Sequence, residues 1–214
     1  ICKRCVMDSK VPKIIFNKHG ICNYCEEAIL RVKNEIFEGV ERDKYLKKLL
    51  KQIKSSKKNN KYDCVIGVSG GVDSSYVAYI LKKEFKLNPL AIHLDNGWNS
   101  ELAVRNIENL LSKLEIDLYT HVIDWEEFRD LQISFLKSSV ANSEIPTDHA
   151  IVALLYKIAE KENIKFILHG GNLATESIMP EAWMHDAKDL KFLNSIHKKF
   201  SSKSLKSYPK MSYL

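Results

Sequence analysis

The chain has no apolar run approaching the roughly 20 residues that a membrane-spanning helix needs, so no membrane span is expected. No secretory leader is visible at its start, which makes the cytoplasm the expected location. Internal repeats and low-complexity tracts are absent, which excludes solenoids and arrays. Cysteine is scarce: of five in 214 residues, four fall within the first 25. In a chain without a leader these are not expected to form disulfides. Neither sign of charge dominates, since 33 Lys and Arg against 27 Asp and Glu leave a net +6. That surplus favours an anionic ligand without demanding nucleic acid, and nucleotides, sugar nucleotides and RNA all stay open. The chain opens on Ile1 and stops at Leu214 with no terminating signal, so it is expected to be a fragment of a longer protein.

The four early cysteines form two pairs, Cys2-Lys3-Arg4-Cys5 and Cys22-Asn23-Tyr24-Cys25, with sixteen residues between them. Two such knuckles suit a tetrahedral site of four thiolates. Lys3 and Arg4 would help keep the thiolates deprotonated. Four thiolate ligands leave no open position, so a structural Zn²⁺ is expected at Cys2, Cys5, Cys22 and Cys25. Disulfides or an iron–sulfur cluster are the alternatives. Pro12 to Phe16 reads as a short strand, and Lys18-His19-Gly20 as the turn back. The fifth cysteine, Cys64, reads as a small buried apolar residue at the start of a strand.

From Glu26 to Ile53 apolar residues recur at helical spacing, with Gly39 as a break. Ser55 to Lys61 is a polar, lysine-rich linker. The expected organisation is a zinc knuckle over 1–26, a helical linker over 27–58, and a catalytic domain over 59–214 that is truncated at its C-terminus. In that domain strands at 64–68, 90–94, 117–123 and 165–169 alternate with helical patterns. Leu102, Ile107, Leu110, Leu111 and Leu114 share one side of the helix over 101–114. Asp124 reads as a helix cap with Glu127 as its capping-box partner, and Thr147 as the cap of the next helix. The fold class is therefore α/β, with a parallel sheet covered by helices. Ligands of such sheets sit beyond the carboxyl ends of the strands.

Val65 to Ser75 runs Val-Ile-Gly-Val-Ser-Gly-Gly-Val-Asp-Ser-Ser: a strand, a tight turn and a helix start. Glycines let a backbone approach an anion closely, and the amides of a helix N-terminus then face it. No Gly-Lys-Ser/Thr follows, which excludes a Walker loop. Val68, Ser69, Gly70, Gly71, Asp73, Ser74 and Ser75 are thus candidate phosphate-binding residues. Other strand ends contribute His93 and Asp95, then Gly170, Asn172 and Glu176. Asp148 and His149 join as candidate catalytic residues from the polar cluster Pro146-Thr147-Asp148-His149. Mg²⁺ would accompany a bound phosphate group, with Asp73 and Glu176 as its first carboxylates.

The loop resembles the SGGxDS PP-loop of ATP pyrophosphatases, enzymes that split ATP into AMP and pyrophosphate. A wider set of segments is similar to one group within them. These are Cys2 to Asp8 with Gly20 to Cys25, Ser69 to Ser75, Leu94-Asp-Asn-Gly-Trp98, His121 to Phe128, Ile145 to His149, and Gly170 to Glu176. Together they resemble the N-acetyl sugar amidotransferases of bacterial surface-polysaccharide and flagellin-glycan synthesis. The resemblance implies an ATP-dependent enzyme that turns a sugar acetamido group into an acetamidino group. It implies a nucleotide-linked N-acetyl sugar as substrate, with ammonia from a partner glutaminase and a synthase-like barrel subunit. Lys206 would assist the loop and Mg²⁺ in stabilising the leaving pyrophosphate. A tRNA thiolase is the nearest rival, and a non-catalytic nucleotide-binding fragment the second. A thiolase is expected to keep sulfur-carrying cysteines in its catalytic domain, where this chain has only Cys64.

Overall fold

The structure is a computed structural model that describes residues 1–57, 60–176 and 178–211. Lys58 and Asn59 of the expected linker lie outside the described residues. In chain order the helices and strands are α1 (Asn23–Glu35), α2 (Gly39–Ser56), β1 (Cys64–Gly67), α3 (Val72–Tyr79), β2 (Pro89–Asp95), α4 (Glu101–Leu114), β3 (Leu118–Val122), α5 (Trp125–Lys137), α6 (Ile145–Lys161), β4 (Ile167–Leu168), α7 (Leu173–Glu176) and α8 (Leu190–Phe200). The chain divides into two compact units. The smaller holds Ile1–Leu49 and Gly171–Met184, and the larger Leu50–Gly170 and His185–Leu214.

The larger unit is built on a four-stranded sheet in the order β3-β2-β1-β4. Every pair is parallel, with Val65 opposite both Leu90 and Ile167. Cys64, Val65 and Ile66 are buried, as are Leu90, Ala91, Ile92 and Leu94, which is why β1 and β2 read as near-continuous apolar runs. The chain moves from β1 through β2 to β3 in one direction, then crosses back to β4. Right-handed crossovers therefore put α3 and α4 on one face and α5 and α6 on the other.

On the second face α6 packs against β1, β2 and β4, and α5 and α8 pack on each other. Phe128, Leu131 and Phe135 of α5, Leu154 and Ile158 of α6, and Leu193 of α8 form the core with Val65. Each such side chain contributes about 1.5–3 kcal/mol on burial. α3 does not end cleanly but runs on as a π-turn over Ile80–Glu84.

Several local expectations need correction. α6 begins at Ile145, with Pro146 in its first turn, so Thr147 lies inside the helix and does not cap it. Proline suits a first turn because its missing N–H would be unpaired there anyway. Asp124 does cap α5, its Oδ1 accepting the Glu127 N–H at 3.0 Å. The Glu127 carboxylate completes no capping box, however. It accepts the backbone N–H groups of Lys206, Ser207 and Tyr208 at 2.9–3.2 Å. Leu102 is exposed, and α4 buries Ile107, Leu111 and Leu114 instead. Pro12 to Phe16 is not a strand but holds a single antiparallel bridge, Phe16 to Cys22.

In the smaller unit, Cys2, Met7, Val11, Cys22 and Cys25 form a buried cluster, with Ile14, Phe16, Ile21, Tyr24 and Ile178 packed on it. Ile178 comes from Gly171–Met184, so the unit is assembled from two distant stretches. Gly39, at φ +53°, opens α2 after the three-residue break that follows α1.

Candidate nucleotide site and cysteine centre

The loop after β1 is shaped by two close approaches. Gly70 sits at φ +78°, and a Cβ there would stand 2.4 Å from the carbonyl oxygen of Ala103 in α4. Asn106 Nδ2 donates to the Gly70 carbonyl at 3.2 Å and ties the loop to α4. Gly170, just past β4, approaches the start of α3, where an added Cβ would stand 3.1 Å from the Asp73 carbonyl. Gly71 precedes α3 in an extended conformation and offers no side-chain cap. The first amides of α3 are therefore not claimed by a capping side chain, the condition for an anion site. Around them the Ser74 and Ser75 hydroxyls donate to the Gly71 carbonyl at 3.2 and 2.8 Å, and Ser69 Oγ lies 3.3 Å from Ser74 Oγ. Asp73 is exposed in the first turn, where the helix dipole favours an acid.

Beside the loop lies a cavity of about 380 Å³ at the carboxyl ends of the strands. Val68 and Ser69 line it after β1, His93 and Asn96 from β2 and its end, and His169 after β4. His93 is buried and its Nδ1 lies 3.0 Å from the Val68 carbonyl, which assigns the proton to Nδ1. Asp95 does not line the cavity. Its Oδ1 accepts from the Gly97 N–H at 3.1 Å and from Asn99 Nδ2 at 3.0 Å, so it shapes the turn.

Two further polar residues complete the wall. Asn99 enters through the Asp95 turn, and Thr147 lines the cavity from α6 with a buried hydroxyl that has no partner among the described residues. Asn99 carries no local signal. Thr147 has two signals in the sequence, as a candidate cap and as a member of the polar cluster Pro146-Thr147-Asp148-His149.

The expected catalytic residues Asp148, His149 and Lys206 do not line the cavity. α6 turns Thr147, Ile151, Leu154 and Leu155 toward it. At about 100° per residue, positions 148 and 149 then point elsewhere. Asp148 is exposed, whereas His149 is fully buried. His149 Nδ1 donates to the Ala187 carbonyl at 2.6 Å, and Nε2 accepts the Met211 N–H at 3.3 Å. Burial lowers its pKa, although its hydrogen bond to Ala187 and the charges of Asp186 and Asp189 pull the other way. With both nitrogens engaged it holds the C-terminal stretch and offers no free base. Lys206 is exposed, and its backbone N–H is the group held by Glu127. Asn172 and Glu176 belong to the smaller unit, where Glu176 Oε2 accepts the Asn172 N–H at 3.0 Å.

The cysteine centre lies in the smaller unit. The four Sγ atoms of Cys2, Cys5, Cys22 and Cys25 all fall within 4.8 Å of one another. Cys2 to Cys25 measures 3.7 Å and Cys5 to Cys22 3.8 Å. A tetrahedron with metal–sulfur bonds of about 2.3 Å has edges of about 3.8 Å, so the set fits a single ion. A cuboidal cluster would hold its ligand sulfurs farther apart. Backbone N–H groups of Arg4 and Cys22 point at Cys2 Sγ at 3.4 and 3.3 Å. Burial raises the Cys2 thiol, but such N–H groups outweigh it and bring the pKa to about 6. Cys64 is a different case: fully buried, its thiol is pushed up to about 12.

Residues 43–179 match the NAD synthase family. The chain belongs to that family. This makes the sheet unit a NAD synthase-like domain of the PP-loop ATP pyrophosphatase superfamily. An uncharacterized protein of Methanocaldococcus jannaschii is 28% identical over 176 residues, covering 80% of this chain and 59% of the relative. The tRNA-specific 2-thiouridylase of Chlamydia trachomatis is 30% identical over 122 residues, covering 52% of this chain and 33% of that protein. Among solved structures, the NH3-dependent NAD synthetase of Campylobacter jejuni aligns with a TM-score of 0.44 at 21% identity, covering 61% of this chain and 56% of that one. The chain thus spans well under two thirds of the length of the curated relatives it matches. None of the helices among the described residues is long and apolar enough to cross a membrane.

Proposed function

We propose that this chain is the ATP-dependent synthetase component of a sugar amidotransferase. The observation that carries the ATP part is the uncapped start of α3, wrapped by Ser69 to Ser75 beside a cavity at the strand ends. The sugar part rests on the ordered set of segments described from the sequence. The acetamido oxygen of a nucleotide-linked N-acetyl sugar attacks the α-phosphorus of ATP. The bond to the bridging oxygen breaks and pyrophosphate leaves, giving an adenylated imidate. Ammonia adds at the imidate carbon, AMP departs with the former amide oxygen, and loss of a proton leaves the acetamidino group.

In this reading the loop amides and the Ser69 and Ser74 hydroxyls bind the phosphates. Asp73 would hold Mg²⁺, which would supply positive charge to the leaving pyrophosphate. The wall containing His93, Asn96, Asn99 and Thr147 would take the nucleoside. Ammonia would come from a partner glutaminase and a synthase-like barrel subunit. The four cysteines would hold a structural Zn²⁺, for which their sulfur spacing is suited. One equivalent of zinc per chain by elemental analysis is expected, and iron in its place would refute that assignment.

A second reading, tRNA thiolation, is favoured by the similarity to the chlamydial thiouridylase. Against it stands Cys64, the one cysteine of the larger unit, which is buried, protonated and at the opposite end of β1 from the loop. Pyrophosphate release from Mg-ATP by the full-length protein separates the two. Release dependent on ammonium and one nucleotide-linked N-acetyl sugar, with a product one mass unit lighter, supports the amidotransferase. Release only with tRNA and a sulfur donor supports the thiolase.

A further inference from the structure

A second concavity opens in the larger unit, on the other side of the loop that follows β2. It encloses about 280 Å³, and Trp98, Trp125, Ile133 and Leu136 supply its apolar wall. Trp98 is 65% exposed and Trp125 40%, an unusual amount of open indole for two tryptophans that touch each other. Their rings meet edge to face, with centroids 5.6 Å apart and planes at 71°.

Both indoles are held from behind. Gly97, at φ +81°, lies so close to Trp125 that an added Cβ would stand 3.1 Å from its Cε3. Trp98 Nε1 donates to Gln132 Oε1 at 3.0 Å, and the Trp98 backbone N–H donates to Asn96 Oδ1 at 3.1 Å. Gln132 also lines the cleft and adds an amide to its polar rim. Arg129, Ser143 and Glu144 add further donors and acceptors around the apolar wall.

We propose that this cleft is the subsite for the sugar ring, a deduction that rests on the amidotransferase reading above. Four features favour a carbohydrate. The volume suits one or two rings, not a helix or strand of a partner protein. Fixed aromatic faces match the apolar C–H faces of a pyranose, and the surrounding polar groups match its hydroxyls. The aromatic wall is braced by contacts with Gly97, Gln132 and Asn96 that need no ligand, which lowers the entropy cost of binding. Finally, the loop from Asp95 to Asn99 is shared: Asn96 and Asn99 line the nucleotide cavity while Trp98 lines the cleft. Asp95 holds that loop in one shape by accepting from both Gly97 and Asn99. A sugar seated on Trp98 is therefore one short loop away from the nucleotide it must meet.

The chain has three tryptophans, Trp98, Trp125 and Trp183. Their indole N–H signals in a ¹⁵N-labelled full-length protein, assigned with single Trp→Phe variants, test the subsite directly. The probes are a panel of nucleotide-linked N-acetyl sugars, methyl N-acetylglucosaminide, and a non-hydrolysable ATP analogue. The N-acetyl sugars should move the Trp98 and Trp125 signals and leave Trp183 in place. Trp98→Ala should raise the sugar KM at least tenfold with the ATP KM unchanged, while Trp98→Phe keeps most of the affinity. No shift at Trp98 or Trp125 with any sugar overturns the subsite. So does a shift produced by the ATP analogue alone, which would make the cleft an adenine site. Trp98→Ala turnover that is normal with ammonium but lost with glutamine also overturns it, because the cleft would then dock the ammonia donor. Indole shifts without sugar-dependent pyrophosphate release sink the amidotransferase reading and leave the sugar subsite standing. Sugar-dependent release with unchanged KM in Trp98→Ala and Trp125→Ala does the reverse.

Discussion

The carboxylate of Glu127 accepts the backbone N–H of Tyr208 at 3.1 Å and binds two neighbouring amides as well, so one buried acid on α5 anchors the stretch after α8. Tyr208 is itself buried, with its hydroxyl donating to the Pro146 carbonyl at 2.5 Å. Glu127→Ala would leave three amides without their acceptor. The expected cost is about 2–4 kcal/mol, with Glu127→Gln costing less because one oxygen remains. Urea unfolding of the two variants checks the order. Equal midpoints for wild type and Glu127→Ala would refute the anchor.

His149 predicts an acid limb in stability. Burial holds its folded-state pKa below the usual value near 6.5, so the unfolded chain binds the extra proton first. The stabilisation is complete above about pH 6.5 and is lost as pH falls from there toward the lower folded value. The slope for one proton cannot exceed about 1.4 kcal/mol per pH unit. Unfolding free energies between pH 5 and 8 should show this decline, and His149→Gln should flatten it. An unchanged slope in that variant would assign the limb to other groups.

Gly70 and Gly71 should respond differently to alanine. At Gly70 a methyl group meets the Ala103 carbonyl and an unfavourable φ, for about 1–3 kcal/mol of strain. Gly70→Ala is expected to cut pyrophosphate release at least 100-fold. At Gly71 the added Cβ would meet nothing closer than Ser69 Oγ at 3.4 Å, and the backbone is already in the extended region. Gly71→Ala should therefore melt within a few degrees of wild type. Equal losses of stability at both positions would mean that the Ala103 contact is not the constraint.

Thr147→Val separates folding from binding. The buried hydroxyl has no partner among the described residues, so its removal should leave stability unchanged or slightly improved. If the nucleoside supplies the missing partner, the KM for ATP rises about two- to twelvefold, the worth of one hydrogen bond. A stability loss above about 1 kcal/mol with an unchanged KM would show that the hydroxyl serves the fold.

Features written in adjacent residues were legible from the sequence. The glycine turn between β1 and α3, the bounds of α4, the Asp124 cap and the paired cysteines each depend on neighbours a few positions away. What failed depended on distant chain. Glu127 obeys the spacing of a capping box, yet three amides some eighty residues later compete for it and win. Thr147, Asp148 and His149 form one polar cluster in the sequence, but helical phase sends them in different directions. That phase could not be read while Thr147 stood as the cap and not as a residue of the first turn. The Trp98–Trp125 pair joins the loop after β2 to the first residue of α5, 27 positions away, and only the parallel pairing of β2 with β3 brings them together.

The smaller unit takes both Ile1–Leu49 and Gly171–Met184, so the backbone passes between the units three times. A truncation that removes the cysteine pairs would strip Ile178 of the apolar partners it packs on, and the damage would surface more than a hundred residues from the cut. Transplanting the cysteine module into another scaffold would likewise require two pieces of chain, since the stretch around Ile178 has to travel with it.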